Sequence, residues 1–370
     1  MNENELFLTE QIITYIGNKR SLLDFIGKAI SIVQKELKQD KLVTADLFSG
    51  SGIVARYLKQ YSSELYVNDL EDYATTINKC YLMNRSDIDE HELEKWFNYL
   101  KENLTEEKLK KGFISKLYSP SDDNNIKEGE RVFYTSRNAK YIDTERMLLE
   151  NLPEKYKILF LGSLLYEASN RTNTSGVFKG FYKNSETNIG QFGGNGKNAL
   201  KRILTDIEVK KPILSNFECK VNIYQEDTVE LAKKISDLDL VYLDPPYNQH
   251  PYGSNYFMLN LINKYEEPKE ISKVSGIPKE WNKSAFNKKA TAKEMMESIC
   301  KNLKSKYILI SFNSEGFITF EEMVKMLSKY GAVRVFDKRY NTFKASRNLR
   351  NRDLYVDEYL FLLKKEEKEC

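Results

Sequence analysis

Asp239-Leu240-Val241-Tyr242-Leu243-Asp244-Pro245-Pro246-Tyr247 is an apolar run that stops on a carboxylate, two prolines and an aromatic ring. The run reads as a buried strand. The prolines end it, because neither offers an N–H to a ladder. Asp244 then stands at a strand's carboxyl end, where open α/β sheets place their ligand crevice. The residue types suit a flat ring that carries an amine. Asp244 can accept a hydrogen bond from the amine. Pro245 contributes a carbonyl without a competing N–H, and Pro246 holds the residue before it extended. Tyr247 can stack on the ring.

Upstream, Leu42-Val43-Thr44-Ala45-Asp46-Leu47-Phe48-Ser49-Gly50-Ser51-Gly52 reads as a strand, a glycine turn and the start of a helix through Val54, Tyr57 and Leu58. Gly50 and Gly52 let the main chain approach a ligand closely, and the helix supplies free N–H groups. A second strand, Leu65 to Asn68, ends in Asp69, about twenty residues past the glycines, as a ribose-binding acid should. Gly50 to Ala55 also fits the dinucleotide pattern G-x-G-x-x-A. The segment therefore predicts a nucleoside-containing cofactor, either NAD-like or S-adenosylmethionine. Asp46 favours the second. A carboxylate beside the turn repels a pyrophosphate and attracts an ammonium or sulfonium charge.

Two further segments join this set. Tyr15-Ile16-Gly17-Asn18-Lys19-Arg20 precedes a helical pattern at Leu22, Leu23, Ile26, Ile30 and Val33. Lys19 is either a solvated turn lysine or the partner of a ligand carboxylate. Asp227 follows a strand at Val221 to Tyr224. It either caps the next helix or accepts from the cofactor's adenine amine.

Composition sets the outer bounds. The chain has 370 residues, 41% hydrophobic and 30% charged, with a net charge of +3, which is compatible with a nucleic-acid partner without demanding one. Its length predicts two lobes, or one large α/β domain with an insertion. The four cysteines form no CxxC pair, and with two histidines no His-rich metal site is expected. The N-terminus lacks the apolar core of a signal peptide, and no stretch is apolar enough to span a bilayer, so a cytoplasmic location is expected.

Taken together, these motifs resemble the N6-adenine DNA methyltransferases of the amino-methyltransferase group that includes the Dam-like enzymes. The α arrangement is the same: Tyr15 to Lys19, Asp46 to Gly52, Asp69, an insertion, Asp227, then Asp244 to Tyr247. The run from Asp244 to Tyr256 and the stretch Asn170-Arg171-Thr172-Asn173-Thr174-Ser175-Gly176-Val177-Phe178-Lys179 are similar to type II restriction-modification methylases related to the FokI methylase.

The resemblance implies a seven-stranded, mostly parallel methyltransferase sheet with a reversed last hairpin. Apolar runs at Tyr307 to Phe312, Ala332 to Phe336 and Glu358 to Leu363 supply its later strands. It implies S-adenosylmethionine as cofactor, with Tyr15 and Lys19 at the methionine end, Asp69 on the ribose, and Asp46, Phe48, Gly50, Gly52, Asp227 and Asp244 around it. It implies double-stranded DNA as substrate, an extruded adenine held by Asp244, Pro245, Pro246 and Tyr247, and a cognate restriction endonuclease as a candidate partner. Nothing in the chain speaks to oligomeric state. An RNA or N4-cytosine methyltransferase is the first alternative. An NAD-dependent oxidoreductase and a DNA-binding protein without activity follow.

The same comparison divides the chain into a catalytic domain of residues 1–85 and 208–370 and an inserted target-recognition region of residues 86–207. Within the insertion, Arg171, Asn173, Lys179, Lys183 and Lys197 suit base edges and phosphates, among glycines at 190, 193, 194 and 196; the alternative is a surface loop. A basic segment carrying Lys338, Arg339 and Arg347 is either a phosphate contact or a solvated loop. The lysine-rich run from Lys364 to Glu369 is expected to be a frayed tail.

Overall fold

A computed structural model describes residues 2–246, 249, 251–341 and 355–366. Its strands are β1 (Leu42–Asp46), β2 (Ser62–Asn68), β3 (Lys220–Tyr224), β4 (Leu238–Leu243), β5 (Ser305–Asn313), β6 (Gly331–Asn341) and β7 (Tyr355–Lys365). They form one sheet in the order β3-β2-β1-β4-β5-β7-β6. The pairs from β3 to β5 are parallel, and β7 runs antiparallel to both β5 and β6. This is the seven-stranded, mostly parallel sheet with a reversed last hairpin that the resemblance implies.

Period-two alternation divides the sheet between two cores. Every residue of β4 is buried. Val241 and Leu243 face one layer with Ala45, Ile308, Ile310, Phe361 and Leu363. Leu240 and Tyr242 face the other with Leu42, Tyr307, Leu309, Leu360 and Leu362. The helix Leu23–Leu37 covers this second face through Leu23, Ile26, Ile30 and Val33, a helical stripe at three- and four-residue spacing. Burying each such side chain contributes about 1.5–3 kcal/mol.

A third core is helical. It joins the helix Asp72–Tyr81 to Ser136–Leu149 and Glu154–Asn170 of the insertion. Phe7 and Ile13 from the chain's start and Phe257, Leu259 and Ile262 from after the proline motif share it. The helical lobe thus recruits residues from both flanks of the 86–207 segment.

Two expectations change near the chain's end. Lys364 and Lys365 belong to β7 and are not a frayed tail. Lys364 pairs with Glu36 at 3.1 Å, and Lys365 donates to the carbonyls of Cys300 and Leu303. Lys338 and Arg339 lie on β6, not in a loop, because that strand runs past Phe336 to Asn341. No helix among the described residues is long and apolar enough to cross a membrane. Among them, no group of acidic, histidine and cysteine side chains could hold a metal ion.

Candidate active site

The sheet order reverses between β1 and β4, since β1 leads outward to β2 while β4 lies on its other side. At the carboxyl ends of these strands is a cleft with about 930 Å³ of open space. Asp46, Asp69 and Asp244 reach it from the ends of β1, β2 and β4, and Tyr15, Lys19, Phe48, Gly50, Asp227 and Pro246 also line it. Residues far apart in the chain, from Tyr15 to Asn287, converge there; the three acids do so because parallel strands point the same way.

The turn after β1 is built around its glycines. Gly50 has φ +50° and Gly52 has φ +76°, which disfavour other residues. A Cβ on Gly50 would lie 2.7 Å from the Tyr15 ring, and one on Gly52 would lie 2.6 Å from Asn78 Oδ1. Gly50 N–H donates to Asp69 Oδ2 at 2.7 Å, and Glu71 N–H to Asp69 Oδ1 at 2.9 Å. The Tyr15 ring packs against both Tyr252 and Tyr256, with centroids 4.9 and 4.7 Å away, and those two rings lie 6.0 Å from each other. The Tyr15 hydroxyl accepts from Tyr73 at 3.1 Å.

The cleft is strongly acidic. Asp46 is fully buried, its carboxylate oxygens have no well-formed hydrogen bond among the described residues, and the main-chain N–H groups of Phe48 and Ala55 offset its burial only in part. Burial, and then the neighbouring Asp244, hold it well above the usual carboxylate range. Burial also raises Asp69 and pushes Glu71 up to about 7. Asp244 is pushed up to about 7 by burial, against the opposing pull of Lys19. Such a site favours a cationic ligand, whose charge would relieve this desolvation and mutual repulsion.

Lys19 is not a solvated lysine. It is buried, with Nζ 3.3 Å from Asp244 Oδ1 and 2.5 Å from Glu358 Oε1. The ligand-carboxylate role implied by the resemblance thus competes for an ammonium already in contact with two acids. Glu358 escaped the sequence reading, although it left a signal. It occupies an even position of β7, in line with the buried Leu360 and Leu362. Asp227 caps the helix Thr228–Leu231, accepting from Val229 and Glu230 N–H, while still lining the cleft. Tyr247 lies outside the described residues.

One wall was not legible at all. Asn282, Ser284, Phe286 and Asn287, from the segment after the helix Phe257–Lys264, close the cleft. Phe286 meets Phe48 edge-on at 5.3 Å, and Asn282 Nδ2 donates to the Leu70 carbonyl at 3.1 Å. This segment has no apolar period and no motif that marks it.

The family model of the D12 class N6 adenine-specific DNA methyltransferases matches residues 15–326, from the Tyr15 turn past β5 into the helix Phe320–Leu327. The chain belongs to this family. The match favours a DNA adenine methyltransferase over the RNA, N4-cytosine and oxidoreductase alternatives. Type II methyltransferase M.CviAII of Paramecium bursaria Chlorella virus 1 is 32% identical over 358 residues, covering 95% of this chain and 98% of that one. Type II methyltransferase M.NlaIII of Neisseria lactamica is 28% identical over 361 residues, covering 95% and 99%. Type II methyltransferase M.FokI of Planomicrobium okeanokoites is 28% identical and also covers 95% of this chain, but only 52% of its own length is matched.

The residues expected at DNA separate into groups in this methyltransferase. Lys179 and Lys197 are exposed in the insertion, and Lys183 is half-buried beside the Phe181 ring. Arg171 pairs with the buried Glu167 at 3.3 Å. Asn173 is fully buried, so its side chain does not face solvent as a base-reading residue must. Its Nδ2 donates to the carbonyls of Val132 and Gln191, and its Oδ1 accepts from Gly193 N–H. Loop closure explains the difference: a buried main-chain turn needs an amide that both donates and accepts. Arg339 is exposed on β6, Lys338 donates to the Ser21 carbonyl at 3.4 Å, and Arg347 lies outside the described residues.

Proposed function

We propose that this DNA adenine methyltransferase takes its methyl group from S-adenosylmethionine, and that the acceptor is an adenine turned out of double-stranded DNA into the cleft beside Asp244. The observation that carries the reading is Asp46: a fully buried carboxylate with no well-formed hydrogen bond, at the switch point of the sheet, next to Asp244. Its chemistry fits a donor bearing ammonium and sulfonium charges. Gly50 and Gly52 admit the donor close to the main chain, Asp69 serves its ribose hydroxyls, and Tyr15 and Phe48 supply apolar contact. Asp227 sits within reach of the same cleft. When bound, the donor supplies an electrophilic methyl group.

The chain's own residues address the other difficulty, which is the acceptor. The lone pair of an aromatic amine is delocalised into the ring. Asp244 accepts one amine hydrogen and the Pro245 carbonyl the other, which draws the nitrogen toward a tetrahedral shape and frees its lone pair. Asp244 also stabilises the positive charge that develops there, by about 3–4 kcal/mol on the scale of comparable preorganised groups. Pro246 and Tyr247 complete the wall for the base. Extruding the base costs a few kcal/mol, offset by pocket contacts. Lys179, Lys183, Lys197, Lys338 and Arg339 contact DNA phosphates. The relatives' names, type II methyltransferases, support a restriction-modification setting, in which a cognate nuclease would be the partner.

The test uses purified protein, radiolabelled S-adenosylmethionine and mixed-sequence duplex DNA, followed by nucleoside chromatography. The expected result is label in N6-methyladenine from the wild-type protein and none from Asp244→Ala. Full labelling by Asp244→Ala, or label in another base, would overturn the reading.

A further inference from the structure

Glu358 is hard to explain as part of the sheet. Its side chain is 0% exposed, in the interior of β7. An ionised carboxyl group in such a place costs several kcal/mol unless well paired, and an apolar residue of similar size would stabilise the strand more. Its pairing is lopsided. Oε1 accepts from Lys19 Nζ at 2.5 Å and from Ser311 Oγ at 2.6 Å, while the buried Oε2 has no partner among the described residues. The two groups held by Oε1 come from the N-terminal turn and from β5.

The alternation of the sheet explains the geometry. Tyr242, Ser311 and Glu358 lie on adjacent strands β4, β5 and β7 and point to the face covered by the helix Leu23–Leu37, whose N-terminal approach carries Lys19. Asp244 continues the Tyr242 row one step beyond the end of β4. Lys19 Nζ therefore lies between two carboxylates, close to Glu358 and at 3.3 Å from Asp244.

We propose that Glu358 is a positioning residue for the amine-binding carboxylate. It anchors the Lys19 ammonium so that Asp244 is oriented by a long ion pair and remains available to accept from the adenine amine. This rests on the reading that Asp244 is the amine acceptor. Held by Glu358 and Ser311, Lys19 is kept from closing on Asp244 and occupying the lone pairs that the substrate needs. Without that anchor the ammonium collapses onto its other carboxylate, because a buried cation seeks the nearest anion.

The groups that face Asp244 are Lys19 from the N-terminal turn, Glu358 from β7, Asp46 from β1 and the Tyr242 hydroxyl from β4 itself. Lys19 stabilises the ionised form of Asp244, and Glu358 and Asp46 oppose it. Replacing Glu358 by glutamine keeps the shape and an acceptor oxygen but removes the charge, and Asp244 then ionises more easily.

The experiment is steady-state and single-turnover methylation by Glu358→Gln across pH 5.5 to 9, with thermal unfolding alongside. The expected result is a maximal rate lowered on the order of tenfold or more, with KM for donor and DNA within about twofold of wild type. The acidic limb of the rate profile should move down by about one pH unit. Ser311→Ala, which removes the second hydrogen bond to Glu358 along with a contact to the Tyr242 hydroxyl, should shift both quantities in the same direction by less, and it decides the matter if Glu358→Gln does not fold. A lower melting temperature with an unmoved acidic limb and an unchanged rate per folded site would reduce Glu358 to a structural role. A raised KM for S-adenosylmethionine at unchanged maximal rate would place Lys19 on the donor. Either outcome overturns the proposal. Full activity in Asp244→Asn would instead remove the reading beneath it.

Discussion

The Gly50 N–H donates to Asp69 Oδ2 at 2.7 Å, so the turn after β1 is tied to the acid at the end of β2. This bond holds the glycine turn against the carboxyl end of β2, on one side of the cleft. It also leaves Asp69 with lone pairs for a ligand, since an ionised carboxylate can accept about four hydrogen bonds.

Gly50→Ala tests that turn. The residue has φ +50°, and the added methyl carbon would lie 2.7 Å from a Tyr15 ring that packs against both Tyr252 and Tyr256. The backbone strain alone costs about 1–2 kcal/mol, and Tyr15 has little room to move. Calorimetry should show S-adenosylmethionine affinity reduced roughly tenfold or more, while duplex DNA binding changes little. Unaltered donor affinity would mean that the donor does not approach this turn.

The pH behaviour of Asp244 separates activity from stability. Its ordinary value is 3.8 and burial pushes it up to about 7 in the folded protein. Between those values the folded state holds a proton that the unfolded chain has released. Stability from this group is therefore fully present below about pH 4 and lost as pH rises through 7. The rate runs the opposite way, because the ionised carboxylate is the form that accepts from the amine, so activity should climb through pH 7. Asp244→Asn removes the titration. Melting curves should show this variant gaining on the wild type more at pH 8 than at pH 5, by roughly 1–3 kcal/mol. Equal differences at both pH values would contradict the raised value.

Much of this site was legible because each piece carries a local rule. Asp46, Asp69 and Asp244 each follow an apolar run, and parallel strands bring such ends together. Gly50 and Gly52 announce their turn by residue type. Glu358 was legible only in hindsight, as a charge on the buried parity of β7. Its meaning depends on β7 lying beside β5, and no local pattern states which strands are neighbours. Asn173 misled because a polar residue in a glycine-rich stretch looks the same in sequence whether it reads a base or braces a turn. Phe286 had no signal, since an isolated aromatic in an aperiodic segment gains significance only from the Phe48 ring it meets.

That contact makes its own prediction. Phe286 is 5% exposed and meets Phe48 at 5.3 Å with an 81° interplanar angle. Phe286→Ala should remove one wall of the cleft and lower stability by about 3 kcal/mol, the low end for buried aromatic truncation. Phe286→Leu restores most of the volume without the edge-on contact. If the pair lines the donor site, the leucine variant should recover the melting temperature yet keep a KM for S-adenosylmethionine raised several-fold. Recovery of both would confine Phe286 to packing.

The insertion offers the sharpest contrast between a brace and a contact. Asn173 satisfies two carbonyls and one N–H in a buried turn. Asn173→Ala leaves all three without that partner, each worth about 1–3 kcal/mol when stranded, so thermal unfolding should drop by several degrees and DNA binding should fail through loss of the loop. Lys179 and Lys197 are exposed, and neither anchors the fold in this way. Lys179→Ala and Lys197→Ala should leave the melting temperature within a degree or two. Each should weaken duplex binding and lower the slope of log affinity against log salt by about 0.9 if it neutralises one phosphate. Salt titrations with the single and double variants would show slopes falling in steps. An unchanged slope in the double variant would move the DNA path off this loop, toward Lys338 and Arg339 on β6.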